Sequence, residues 1–482
     1  MFAPSVEWEP LGLSKAKDLN EKPQAKKVLL VHCAYLQKGG EDRVVEQEGA
    51  LLETYYRVVR FIRSNEELLV LNRFQQVLKL LWNRAICRDL QDFLQQHEPD
   101  IVHVHNTFPL FSPAIFHTLG RWKRRCQKQG ETKRLVMTVH NFRLHCPQGT
   151  LMRPKRWVRL LRGVHSKRWV RPKLMAQKQI LSSELCQRCF ASGNFIPAIR
   201  ARCYRGSVTM TAAIALMLAW HKRLGTWRKN VDRFLYLDET QRTLLTRVGF
   251  PDEKFIRKPN SIADDWVASP ASPQGEVLRL LFVGRLSEEK GLRILLNAMQ
   301  NLRNSCEVAR PIKLCIAGDG PLREELENFI AHFAQIQDGM SIQYRGQLER
   351  GALHQTMGAS HFLILPSVWY EGMPITILES LASGRPVISF RLGASGKILA
   401  GRTCGILAPF FKDATAEQNL DLEQTYSHED LVRNLSLAIR EAGEVVSETQ
   451  RYEQMCSAAR SRFEKNYTAK QNLQALRAVY EN

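Results

Sequence analysis

The chain has no long apolar run. Its longest largely apolar stretch, Val208 to Trp220 (VTMTAAIALMLAW), has 13 residues, against roughly 20 for a membrane-spanning helix, so a buried helix is expected there. Nor does an apolar run open the chain. Residues 1–26, MFAPSVEWEPLGLSKAKDLNEKPQAK, read as a polar tail before the first strand rather than a secretory signal. Acidic residues are scarce: 48 Asp+Glu face 69 Lys+Arg, a net charge of +21. A surplus of that size attracts polyanions, whether nucleic acid, anionic lipid or phosphorylated substrate, and charge alone does not choose among them. Cysteines number eleven, an odd count spread widely in a chain without an export signal, so a disulfide framework is not expected and a reducing cytoplasm fits. There is no internal repeat. What is present, 44% hydrophobic and 24% charged residues, excludes wholesale disorder, and the length suits two domains.

From Lys27 the text alternates strand-like and helix-like segments. KKVLLVHCAY is a continuous apolar run, as a parallel strand buried on both faces requires. Helical spacing over Glu41–Glu53, the strand YRVVRFIR, and one long helix over Gln75–Gln96 follow. DIVHVHN and KRLVMTVHN are further strands, each ending in a His-Asn pair, and VDRFLYLD and FIRKPNSI come later. A second series, LRLLFVGRL, IKLCIAGDG, SIQYRG, HFLILPS and RPVISF, starts near Leu278. Strands alternating with helices at this spacing imply right-handed crossovers and two Rossmann-like, doubly wound parallel sheets. The expected division is 27–265 and 266–450, with the join near Pro259–Gly275, an insertion at 146–206, and helices over 451–482 that cross back to the first domain.

Open parallel sheets bind ligands beyond the carboxyl ends of their strands. In FVGRLSEEKG, Arg285 lies just past such an end and Lys290 near the start of the next helix, which Ser287 can cap. Two cations beside a helix N-terminus suit a diphosphate; the bland alternative is a solvated Arg and Lys at a turn. LPSVWYEGMPITILESLASGRPVIS is more informative. After a buried strand, Glu371-Gly372-Met373 forms a turn, Pro374 takes the first helical position, and Gly384 ends a helix that runs to about Ser383. Glu371 then lies in a loop aimed at a pocket, Glu379 about one turn further in, and Gly372 admits close backbone approach. The two carboxylates can bond hydroxyls of two sugars with a diphosphate between them.

The Glu371/Glu379 spacing, with GRLSEEKG upstream and IAGDGPL between, resembles the retaining glycosyltransferases of family 4, of GT-B fold: two Rossmann-like domains facing a cleft. KGGEDRVV (Gly39, Gly40) resembles that family's Gly-Gly loop. HVHNTFPLFSP, TVHNFRLHCPQG and KPNSI resemble a bacterial branch serving exopolysaccharide, O-antigen or related glycan assembly. The resemblance implies a UDP- or GDP-linked sugar as donor and a glycan or lipid-linked glycan as acceptor. Arg285 and Lys290 would neutralise the diphosphate and stabilise the leaving nucleotide. Glu379 would hold the ribose, and Glu371 with the backbone of Gly372 and Met373 the transferred sugar. Gly40 would let the first domain close over the diphosphate, and His140 would stand near the reacting sugar. Attack on the same face as departure, with the leaving phosphate taking the acceptor proton, requires neither cofactor nor separate base. The chain has no Asp-x-Asp triplet, consistent with Arg and Lys where other folds use a metal. His105 and Asn106 become candidates for acceptor contact, and Asn260 for bracing the hinge.

Two features stand apart. Cys146, Cys186-x-x-Cys189 and Cys203 match the composition of a tetrahedral all-cysteine zinc site; reduced, partly buried thiols are the alternative. Arg153–Lys173 carries nine Arg or Lys, no acid and two Trp, suited to an anionic membrane surface, to solvent, or to nucleic acid. The expected location is the cytoplasm, at the inner face of the cell membrane. Competing readings are a nucleotide-sugar epimerase or phosphorylase-like protein of the same fold, an inactive relative, and a basic nucleic-acid-binding protein. The last has no recognisable motif, so nucleic acid is not an expected partner.

Overall fold

The computed structural model describes residues 26–36, 39–154, 183–262, 266, 275–305, 310–336, 339–401, 403–413 and 422–481. The polar tail and nearly all of the basic segment Arg153–Lys173 lie outside the described residues, as does the greater part of the join.

Six strands make the first sheet: β1 (Lys27–Ala34), β2 (Arg57–Ser64), β3 (Ile101–Val104), β4 (Arg134–Val139), β7 (Arg233–Tyr236) and β8 (Phe255–Arg257), in the order β2-β1-β3-β4-β7-β8. β1 runs parallel to β2 and β3, and β3 to β4. Val28 to Val31 are fully buried, as a strand covered on both faces demands. A short antiparallel hairpin, β5 (Met152–Pro154) with β6 (Ser183–Leu185), stands outside the sheets.

The second sheet contains β9 (Leu278–Val283), β10 (Ile312–Ala317), β11 (Met340–Tyr344), β12 (Phe362–Leu365), β13 (Val387–Phe390) and β14 (Gly405–Ala408). Its order is β11-β10-β9-β12-β13-β14, and every pairing is parallel. Numbered within the sheet this is 3-2-1-4-5-6, the Rossmann order. The chain therefore reverses winding between β9 and β12. Loops leaving the carboxyl ends of these two strands diverge to opposite faces and leave a crevice.

By compactness the chain forms two units: Met1–Thr138 with His221–Leu235 and Leu473–Asn482, and Val139–Trp220 with Tyr236–Asn472. Within the first unit, Tyr480 bonds the ring of His103 at 2.7 Å and Arg134 donates to the Val479 carbonyl at 2.6 Å.

Three local expectations differ from what forms. The helix expected over Gln75–Gln96 is two helices, Arg73–Leu81 and Arg84–His97. Trp82 is extended, and the Asn83 side chain caps the second helix by accepting from the Ile86 N–H, so a polar cap interrupts an apolar periodicity that continues across it. Pro374 sits one place before its expected position, as N-cap to the helix Ile375–Ala382. Ser287 does not cap; its backbone N–H and its hydroxyl both turn back to the Arg285 carbonyl, at 2.9 and 3.5 Å, ahead of a 3-10 turn. The apolar segment forms the helix Val208–Leu224, with Ile214, Met217 and Leu218 buried but Leu216 and Trp220 more than half exposed. No helix among the described residues is long and apolar enough to cross a membrane.

Candidate functional site

The loops after β9, β10 and β12 interlock through their backbones. Leu286 donates to the Asp319 carbonyl and receives from Leu322, both at 2.9 Å, and Val368 donates to Glu289 at 2.9 Å. Gly318, at φ 135°, lies so close to the loop after β9 that a Cβ would stand 1.9 Å from the Gly284 carbonyl oxygen. Gly291, at φ 74°, is pressed equally hard on Pro366, 1.8 Å from its carbonyl oxygen. No side chain fits at either place, and both φ values favour glycine.

This packing sets Lys290 and Glu371 together. The Lys290 ammonium donates to the Glu371 carboxylate at 2.6 Å, and the Ser367 hydroxyl donates to the same oxygen at 2.7 Å. The carboxylate is 7% exposed and the lysine side chain 20%. The ammonium also stands 5.6 Å from the centre of the Trp369 ring, within reach of its negative face. A charge pair this withdrawn from water is weakly screened. Arg285, at the end of β9, is exposed.

One residue on, Gly372 meets the segment that follows β4. A Cβ there would lie 2.7 Å from the His140 carbonyl oxygen and 3.3 Å from the Gln241 amide nitrogen. His140, Glu371 and Gly372, expected together only from resemblance, are thus neighbours in the second unit. Met373 is held from the side: the Asn260 amide donates to its carbonyl at 3.3 Å. Glu379 is buried in the helix Ile375–Ala382, and its carbonyl receives the Ser383 N–H and hydroxyl at 3.0 and 2.9 Å. The pair of loops thus offers fixed positive charge, a buried carboxylate and close-approach backbone at one crevice, the means to hold a phosphorylated, hydroxyl-rich ligand.

Reading the sequence missed Ser367, Gln241 and Gly393. Ser367 follows a buried strand and gave no sign of its partner. Gln241 had a signal in the Asp238-x-x-Gln241 capping box, whose side chain also receives the Leu237 N–H at 2.9 Å. Gly393, at φ 52°, opens the helix Gly393–Ile398 with its Cβ position 3.1 Å from the Tyr370 ring.

In the first unit, Gly39 precedes the helix Gly40–Leu52 and its N–H donates to Asp42 at 2.8 Å; Asp42 also bonds His32 at 2.8 Å. A Cβ on Gly40 would meet open space. The Asn106 amide is engaged with backbone: it donates to Cys33 at 2.8 Å and accepts from Phe108 at 3.0 Å. His105 is 2% exposed, its ring 4.2 Å from that of His103.

The four cysteines, brought from three stretches of the sequence, line one cavity with Leu151 and Phe190. Burial, then the charge of Cys146, pushes the Cys189 thiol up to about 12. Cys186 and Cys203 are raised by burial as well, Cys203 further by the other three.

Residues 278–424 match the family model of glycosyl transferases group 1. The alpha-D-kanosaminyltransferase of Streptomyces kanamyceticus is 30% identical over 133 residues, 28% of this chain and 33% of that protein. The amylovoran biosynthesis glycosyltransferase AmsK of Erwinia amylovora is 27% identical over 170 residues, 34% of this chain and 38% of its own length. The chain thus spans about a third of the length of these curated relatives. In structure, Anabaena HepE, solved with UDP and glucose, superposes with a TM-score of 0.56 at 12% identity over 95% of this chain and 99% of that one, a likeness of fold of the GT-B type. The match to the glycosyl transferases group 1 family thus falls on the domain built on the second sheet, residues 278–424.

Proposed function

We propose that this chain is a retaining glycosyltransferase that moves a sugar from a nucleotide sugar to a glycan or lipid-linked glycan acceptor in cell-surface polysaccharide assembly. The observation that carries the reading is the Lys290–Glu371 pair at the winding reversal of the second sheet, with Arg285 on the same loop and Gly372 against His140. Lys290 and Arg285 take the diphosphate and stabilise the charge that grows on it as the glycosidic bond breaks. Glu371, held by Ser367, and the backbone of Gly372 and Met373 receive the sugar hydroxyls, and Glu379 the ribose. Lys290 then spans both halves of the donor, one face to phosphate and one to Glu371. The acceptor hydroxyl attacks from the side the nucleotide leaves, and the departing phosphate oxygen takes its proton. The AmsK similarity supports polysaccharide assembly, and HepE, which holds UDP and glucose, supports a UDP-linked donor.

Differential scanning fluorimetry against UDP, GDP, ADP and TDP nucleotides and sugars tests this. The expected result is stabilisation by one nucleotide, UDP first, lost in Arg285→Ala and Glu379→Ala. No shift with any nucleotide, beside tight salt-sensitive binding of nucleic acid, would overturn the reading in favour of a binding protein.

A further inference from the structure

We propose that Cys146, Cys186, Cys189 and Cys203 bind one structural zinc ion that fastens the antiparallel hairpin to the turn at Cys146 and to the short helices that follow β6. Each sulfur comes from a different backbone device. Cys146 sits in a turn closed by the Cys146 N–H to Phe142 (2.8 Å), Gly149 to Cys146 (2.9 Å) and Phe142 to Gly149 (3.0 Å). Arg143 clips that turn, donating to the Pro147 and Gln148 carbonyls at 2.8 and 3.0 Å. Cys186 immediately follows β6 and its N–H donates to Leu151, just before β5, at 2.7 Å. Cys189 lies in the short helix Arg188–Ser192, and Cys203 follows the left-handed Arg202 that ends Ile196–Ala201. All four nonetheless line the same cavity.

Four thiols, Cys146 and Cys189 buried and Cys186 and Cys203 half-buried, share one cavity with apolar neighbours, and four cysteines are the donor set that selects zinc. His145 supports the arrangement from outside: its ring Nε2–H donates to the Cys189 carbonyl at 3.1 Å and its faces pack on Phe190 and Phe195, the type of outer contact that fixes a ligand turn. No three of the four sulfurs lie within 4.8 Å of one another, as the ligand atoms of Glu48, His103 and His105 do, so a zinc ion about 2.3 Å from each sulfur requires the four to close in. That other cluster is no rival, because both ring nitrogens of His103 are bonded to hydroxyls, of Tyr480 and Thr138, at 2.7 Å. Binding exchanges four S–H protons for one divalent ion, leaving a net charge of minus two. Arg153 and Arg188, whose charges already act on Cys186, offset it.

The ion would matter beyond its own shell. The Ser183 N–H of β6 donates to the Glu288 carboxylate at 3.2 Å, and Glu288 belongs to the loop that carries Arg285 and Lys290. Zinc would therefore steady the hairpin whose β6 is bonded to that loop.

Elemental analysis of the full-length chain, purified reduced and without chelator, is expected to give one equivalent of zinc. Cys189→Ser and Cys203→Ser lose it, while Cys315→Ser, a thiol on β10 away from the cavity, keeps it. Should the serine variants fail to fold, cobalt reconstitution of the wild type still decides, through a thiolate-to-cobalt charge-transfer band. Cys203→His retains that band at lower intensity. Zinc below about half an equivalent with no cobalt band would overturn the proposal. So would zinc retained in both serine variants, iron in its place, or disulfides among the four by mass mapping.

Discussion

The loops at the carboxyl edge of the second sheet and the polar residues of the first unit are built from similar side chains put to opposite use. After β9 and β12 the backbone is locked by glycine contacts, and of the side chains it carries Lys290 and Glu371 pair at a crevice edge, with Arg285 exposed on the same loop as Lys290. In the first unit the polar side chains turn inward. Asn106 braces Cys33 and Phe108, and Asp42 holds His32 and the Gly39 N–H. His221 donates through Nε2 to the Leu81 carbonyl and meets the Thr226 hydroxyl through Nδ1, while Trp82 stacks on both His221 and His117. Buried polar groups that satisfy each other stabilise a scaffold; charges that share a partner at an opening are available to a ligand.

The contrast is broken most forcefully at the ion pair. Lys290→Ala and Glu371→Gln should each lower the rate of sugar transfer about 10²–10³-fold, and Lys290→Ala, which leaves the withdrawn Glu371 carboxylate with Ser367 alone, should lose more in chemical unfolding than Glu371→Gln. The double variant should cost much less than the product of the two, because they act as one unit; strictly multiplicative losses would dissolve the pairing. Next comes Gly318→Ala. With a Cβ 1.9 Å from a backbone oxygen, it should lose about 1–3 kcal/mol in urea unfolding, and nucleotide affinity with it.

A smaller effect sharpens the other side of the comparison. Burial holds the His221 imidazole down to about 4, so it stays neutral when folded. Unfolded, it titrates near 6.5. Below that value the unfolded chain binds a proton the folded one refuses. The stability this histidine contributes is therefore present above pH 6.5 and lost as pH falls toward 4, by at most about 1.4 kcal/mol per pH unit. Urea midpoints from pH 7 to 4.5 should fall, less steeply in His221→Asn. The smallest effect is at Gly40, where open space predicts that Gly40→Ala changes stability by no more than about 0.5 kcal/mol. If its KM for donor rises all the same, the Gly-Gly loop has a ligand role that its packing does not reveal.

Much of the second sheet was legible, because LRLLFV, IKLCIA and FLIL are apolar runs too short for helices and bounded by glycine or proline. That Lys290 and Glu371 each lie in a loop past a strand end followed from the apolar runs; that the two side chains pair, 81 positions apart, did not. β14 escaped notice, since GILA is four residues with no alternation to detect. The break at Trp82-Asn83 was hidden because apolar spacing continues through it. Ser367 and Gln241 could not be found for a different reason: a hydroxyl or amide gains its role from what the fold places opposite, and no local pattern encodes that.

The glycine contacts beneath the crevice carry a consequence for how such a site diversifies. Gly291 and Gly318 fix the three loops by main-chain fit alone, so the platform does not depend on which side chains stand on it. Side chains around the crevice can then change while the three loops keep their places.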